Sequence, residues 1–430
     1  MRAVLNSIIT HPNYSRVFEW GRLITMAGSA QIAIQAIGLI SGILIIRLLP
    51  TQEYALYTLA NTMLGTLTIL ADGGISTGVM AQGGKVWQSR EKLGAVLVTG
   101  LQLRKKFGLI SLLLVSPVLF YLLRHHGASW LFSVLIILSL IPAFFAALSD
   151  SLLETPLKLN QEIGRLQVNQ VSVSAVRLLL ITLSLFIFPW TFIAILGNGL
   201  PRIWANIKLE KIASEFADLS QKADILIQKE ILSIVKRLLP TAMYYCLSGQ
   251  ITIWLISIFG STTGVAQVGA LSRLATVLTI FSAMFSTLLA PRFARLPETR
   301  QLLLRKFFNI LLLVLVLALV IVSITSLFSK EILMILGSEY AGLKHELVLS
   351  ITGGCIGLIA GICFSLCTQR GWAMNPGIAI ILSIASIAAC ASLIDISTLE
   401  GILIFNIFVA LFQVVLHLFY SVYRMLMLRA

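Results

Sequence analysis

Apolar runs about as long as a bilayer is thick alternate with short polar stretches along the whole 430-residue chain. Twelve such runs can be drawn, at roughly 22–47, 54–79, 94–122, 128–149, 166–188, 191–210, 237–259, 263–289, 306–328, 346–369, 376–396 and 400–423. Crossing about 30 Å of hydrocarbon takes about 20 apolar residues in a helix, and the runs are of that order. The pattern predicts an all-α polytopic membrane protein whose helices form two six-helix bundles around a central cavity. The longest polar stretch, about 208–236, falls between the sixth and seventh runs. There Leu209, Ile212, Phe216, Leu219 and Leu226 recur near helical spacing, which predicts an amphipathic helix on the membrane surface. The implied organisation is an N-terminal interfacial segment (1–21), a first bundle (22–210), a connector (211–236) and a second bundle (237–430).

Composition agrees, with 58% hydrophobic and only 12% charged residues and a mean hydropathy of +0.94. Soluble domains carry about a quarter charged residues. The net charge of +14 is mostly a topology signal. Nearly all lysines and arginines near run ends fall on one side, against only Arg47, Arg124, Lys330 and Lys344 on the other. Basic residues near span ends favour the cytoplasm, so both termini are expected there, and a nucleic-acid partner is not.

Three arginines break the pattern. Arg177, Arg202 and Arg273 each lie ten or eleven residues inside a run. At about 1.5 Å per residue all three reach roughly 15–17 Å depth, near the midplane. An arginine at that depth is costly and ordinarily faces a bundle interior or a wet cavity. Guanidinium binds phosphate through paired hydrogen bonds at a charge it cannot lose, which makes the three a candidate anion site. No Asp or Glu stands out at midplane depth to pair with them, and Asp150 and Glu154 read as a solvated helix end. Arg202 follows LGNGLP, where Gly197, Gly199 and Pro201 predict a broken or kinked helix.

Gln31, Gln35, Asn169, Gln250 and Gln267 lie at similar depths and can donate to and accept from sugar hydroxyls, or join helices. Asp72, followed by Gly73 and Gly74, sits near the inner end of the second run and reads as a structural or gating point. Gly353, Gly357 and Gly361 form a small-residue ridge suited to close helix packing. His125 and His126 read as solvated loop residues. The five cysteines read as apolar packers, since no His or carboxylate accompanies them as a metal site would require. Neither a GxxxxGK[ST] loop nor an HExxH or nucleophile-elbow motif is present, so the reading is of a non-enzyme without cofactor. Coupling to Na⁺ or H⁺ stays open.

The stretch RLLPTQEYALYTLANTMLGTLTILADGG (47–74) resembles the polysaccharide and O-antigen flippase family. That family belongs to the superfamily shared with multidrug and toxin extrusion transporters and the lipid II flippase. Arg-Leu-Leu-Pro, the Glu-Tyr pair and the glycine-bearing end of the run carry the likeness; Ala55 departs from it where glycine is common. The resemblance implies two bundles in an inverted V in a bacterial inner membrane. It implies alternating-access transfer of a polyprenyl-diphosphate-linked oligosaccharide between leaflets. Membrane lipid, a polysaccharide polymerase and its chain-length machinery would be the partners. A multidrug cation antiporter of the same superfamily is the alternative.

Overall fold

The computed structural model describes residues 12–428 apart from 290–292, 294, 295, 298, 369, 371 and 373. All regular structure among them is helical. In chain order α1 is Pro12–Leu48, α2 Thr51–Asp72, α3 Ile75–Val86, α4 Arg90–His125, α5 Trp130–Leu159, α6 Ile163–Ile187, α7 Thr191–Phe216 and α8 Ile225–Phe259. The second half holds α9 Thr262–Ala275, α10 Leu278–Leu288, α11 Arg300–Leu327, α12 Ser329–Leu336, α13 Lys344–Thr368, α14 Pro376–Leu393 and α15 Leu399–Leu426. Of the segment expected at 1–21, residues 1–11 lie outside the described residues, and from Pro12 the chain is already part of α1.

Among the described residues nine helices are long and apolar enough to span a membrane, or ten when the bent pair α2–α3 counts as one span. The rest of the twelve-span plan is supplied by α7, whose hydropathy is diluted by Arg202, Lys208, Glu210 and Lys211, and by α9–α10, interrupted at Thr276 and Val277. Helices α1–α7 pack as one bundle and α9–α15 as another, with α8 touching both. Two breaks therefore interrupt spans. The α2–α3 break comes where Gly73 (φ 47°) and Gly74 (φ 99°) take left-handed conformations that other residues avoid, and the axis turns by 43°.

Buried apolar side chains place the two bundles. One cluster draws from both halves: Tyr54, Leu59 and Met63 of α2 with Ala266, Ala270 and Leu271 of α9 and Phe405 of α15. It lies at the end opposite the α7–α8 turn. Towards the end that carries this turn, here called the basic end, there are two separate clusters. Leu93, Leu152 and Leu209 with Ile231 of α8 form one, and Phe307, Cys363 and Met425 form the other. The bundles share a core at one end and diverge towards the basic end.

Two surface expectations change. The 208–236 stretch is not one helix: α7 runs on to Phe216, a turn follows, and α8 begins at Ile225 with Asp224 as its cap. The apolar periodicity there belongs to two helices that pack inward at different places. Leu209 and Ile212 are buried, whereas Leu226 is exposed. The turn is pinned to α4: the Asp218 N–H donates to the Arg90 carbonyl (2.9 Å) and the Asp224 N–H to Thr99 Oγ1 (2.9 Å). On the ridge of α13, Gly353 abuts Asn406, but Cβ atoms at Gly357 and Gly361 would meet open space.

Candidate functional site

Small residues on α1 open the space. Gln35, Gly38, Ser41, Gly42 and Ile45 line one side of a cavity of about 360 Å³ that lies among the helices of the first bundle and is closed by Arg273 and Thr276 of the second half. Gly38 and Gly42 are one helical turn apart, so they present a bare strip of backbone to the cavity. A Cβ at Gly42 would come 3.3 Å from Arg273 Cδ, and one at Gly38 would stand 3.8 Å from Arg177 Nη2. The strip is where the long arginine side chains pack.

Arg177 from α6, Arg202 from α7 and Arg273 from α9 all line this cavity, with Tyr57, Asn61 and Asn198. Its lining contains no carboxylate among the described residues. Arg273 lies beside the hydroxyls of Tyr54 and Tyr57. Arg177 makes no ion pair among the described residues, and its Nε is buried without a hydrogen bond. Three guanidinium groups around one space repel one another, and an anion between them would relieve that repulsion.

One of the three has a counter-charge. Arg202 Nε lies 3.3 Å from Asp150 Oδ2, which corrects the expectation that no carboxylate is within reach. Helix α5 continues ten residues beyond the expected end of its run, to Leu159, so Asp150 and Glu154 are inside the helix and not at a solvated end. Glu154 accepts from Lys158 Nζ (2.7 Å) and Gln170 Nε2 (2.7 Å). These carboxylates line a second chamber of about 300 Å³ that shares Arg177, Asn198 and Arg202 with the first.

The amides divide between these spaces. Gln35 lines the arginine chamber, and Gln31 and Asn169 line the second. Gln250 Nε2 stands 3.9 Å from where a Cβ on Gly65 would sit, but neither Gln250 nor Gln267 lines either chamber. Helix α7 is not broken at Pro201. Gly197 and Gly199 serve packing instead: a Cβ at Gly199 would come 2.6 Å from Ala143 Cβ, and one at Gly197 3.3 Å from Ile181.

Asp72 belongs to a different assembly. Arg104 of α4 is buried and donates to the Asp72 carboxylate, to Ser76 Oγ (2.9 Å), to Ser151 Oγ (2.5 Å) and to the Leu148 carbonyl (2.6 Å). Asp72 also accepts from the Ser76 N–H (3.0 Å) across the helix break. Arg104, adjoining Lys105 and Lys106, reads in the sequence as part of a basic run end; the fold turns it inward and clamps α2, α3, α4 and α5 together.

The 47–54 motif closes the end opposite the basic one. Arg47 donates to the carbonyls of Ile335 (2.8 Å) and Met334 (2.7 Å), at the carbonyl-bearing end of α12 where a cation is favoured. Thr51 bonds Glu339, and Glu53 accepts from the Thr191 N–H (2.8 Å) at the start of α7. His126 is buried rather than solvated, with Nδ1 2.9 Å from Thr262 Oγ1 and Nε2 2.9 Å from the Ser257 carbonyl. Burial holds its imidazole below the ordinary range.

An inward-facing multidrug-resistance transporter of the MATE family, in the MOP superfamily, matches over 91% of this chain and 94% of its own, with TM-score 0.69 and 14% identity. The chain has the MATE fold. An outward-facing structure of a MATE family transporter matches over 94% of each chain, with TM-score 0.64 and 14% identity. A MOP superfamily transporter from Pyrococcus furiosus, whose binding pocket has reverse polarity suggesting a different function, matches over 94% of each chain, with TM-score 0.63 and 14% identity. No protein-family model and no curated protein matches the sequence. At this identity the likeness is one of architecture: the MATE fold accounts for twelve spans in two bundles around a central cavity.

Proposed function

We infer that the protein carries a polyprenyl-diphosphate-linked oligosaccharide from the leaflet at its basic end to the opposite leaflet, by alternating access. The observation that carries this reading is the chamber walled by Arg177, Arg202 and Arg273 without a carboxylate among the described residues. Diphosphate offers several oxygens to guanidinium donors, and the low-dielectric surroundings strengthen each pairing. Support for alternating access comes from solved transporters of this fold in inward-facing and outward-facing forms. In this reading the basic end faces the cytoplasm, and the contacts of Arg47, Thr51 and His126 are those that release when the far end opens.

A multidrug cation antiporter fits the fold equally well, and the chamber's charge separates the two. A lipophilic cation beside three guanidinium groups meets repulsion, whereas an anion neutralises them. Direction follows from the same charge. A diphosphate carries about two negative charges, and each gains roughly 2.3 kcal/mol on leaving through an inside-negative potential of 100 mV.

The test is transport in proteoliposomes holding the full-length protein, with a fluorescent polyprenyl-diphosphate glycan and ethidium as competing cargoes. The expected result is movement of the glycan lipid only, abolished by Arg177→Ala, Arg202→Ala or Arg273→Ala. Ethidium transport that survives all three substitutions, with no glycan movement, would overturn the reading in favour of cation export.

A further inference from the structure

The second chamber has a chemistry opposite to the first. Its walls include Asp150, Glu154, Asn169, Gln170 and Ser174, and it meets the arginine chamber at Arg177, Asn198 and Arg202. Carboxylates only accept hydrogen bonds. Glu154 already has two donors, in Lys158 and Gln170, while among the described residues Asp150 has only the long 3.3 Å contact to Arg202 Nε. Asn169 is 3% exposed, and its Oδ1 is buried with no hydrogen-bond partner among the described residues. A buried acceptor left unpaired is costly, so this chamber calls for a ligand that donates. A second phosphate is excluded by Asp150 and Glu154, and an apolar chain by the polar walls. A group bearing several hydroxyls, joined to an anion next door, meets every condition.

We propose that the second chamber is the subsite for the sugar attached directly to the diphosphate, its hydroxyls donating to Asn169 Oδ1 and Asp150 while Arg177 and Arg202 hold the phosphates at the shared wall. The proposal rests on the anion reading of the first chamber. At about 300 Å³ the space is at the small end of ligand cavities, which suits one ring and leaves the remaining sugars outside. The neighbouring amide of Gln170 is committed to Glu154, so selectivity falls on the hydroxyl pattern that reaches Asn169.

The experiment is calorimetric binding to the full-length protein in nanodiscs, comparing inorganic pyrophosphate with hexosyl diphosphate. Wild-type protein is expected to bind the hexosyl compound about tenfold tighter. Asn169→Leu, which keeps the branched shape without the acceptor, should erase that increment and leave pyrophosphate affinity unchanged; Asn169→Asp, which keeps an acceptor, should retain it. A series of deoxyhexosyl diphosphates on wild-type protein makes the same test without a substitution, and one deoxy position should lose the increment. Equal binding of both ligands by wild-type protein would overturn the subsite while leaving the anion site standing. So would loss of the increment on replacing choline with Na⁺ at constant ionic strength, which would mark the chamber as a cation site. If pyrophosphate itself fails to bind, the anion reading and the subsite fall together.

Discussion

Closure of the far end depends on Gly269, and this can be tested by adding one methyl group. Gly269 of α9 faces Thr58 of α2, one from each bundle. A Cβ there would come 2.4 Å from Thr58 Oγ1, 2.7 Å from Cγ2 and 3.1 Å from Cβ. Thr58 cannot turn aside freely, because it is β-branched and its hydroxyl donates to the Tyr54 carbonyl at 2.9 Å. The helices must therefore part by several tenths of an ångström along a shared, fully packed core. Overpacking of this kind costs about 1–3 kcal/mol, a shift of roughly 5–150-fold in the balance between far-end-closed and far-end-open forms. The assay is disulfide trapping between Thr51→Cys and Glu339→Cys, whose native side chains touch across the bundles, in a background lacking the five native cysteines. Gly269→Ala should slow trapping by up to that factor, in proportion to the closed population that remains, and adding Thr58→Ala should restore it. Trapping unchanged by Gly269→Ala, or lost equally in the double variant, would refute the reasoning.

Other consequences follow from the same geometry. Arg104→Leu leaves Asp72 without its buried partner and should lower stability by about 3–5 kcal/mol, seen as an earlier thermal transition in detergent, with part recovered in Asp72→Leu/Arg104→Leu. Gly199→Ala should destabilise measurably because Ala143 backbone lies 3.0 Å from the new atom, whereas Gly361→Ala meets open space and should leave the transition in place. His126 has a folded pKa below its usual value of about 6.5, so on opening or unfolding it gains protons in the window below that value. The contribution of His126 to far-end closure should be fully present above about pH 6.5 and weaken as pH falls, read as a slowing of Thr51→Cys/Glu339→Cys trapping beyond that due to lost thiolate, and His126→Gln should remove this excess.

The three arginines that the sequence puts at one depth line one cavity in the structure, because depth along a helix accumulates regularly and each is counted from a clear run end. What lay off the helix axis was less legible. Asp150 sits one residue past the point where hydropathy falls, so it looked like a helix end; the helix continues because Leu152, Leu153 and Leu157 of its last turns join a buried cluster with Leu93 of α4, Leu166 of α6 and Leu209 of α7. Arg104 follows the apolar entry of α4 and adjoins Lys105 and Lys106, and only the convergence of four helices shows which of the three turns inward. The LGNGLP stretch carried the signs of a break, yet its glycines are points of close approach to α5 and α6. In contrast, the break at Thr276 and Val277 has neither glycine nor proline to announce it. His126 looked solvated because its partners, Ser257 and Thr262, lie more than a hundred residues away.

The central claim is that the chamber of Arg177, Arg202 and Arg273 holds a lipid diphosphate. Native mass spectrometry of the intact protein tests it most directly, with a polyprenyl-diphosphate glycan, the corresponding uncharged polyprenyl glycan and a lipophilic cation offered together. The account predicts that the diphosphate alone is retained, that excess inorganic pyrophosphate displaces it, and that Arg177→Ala/Arg202→Ala/Arg273→Ala loses it. Equal retention of the charged and uncharged lipids, or retention of the cation in their place, would contradict it.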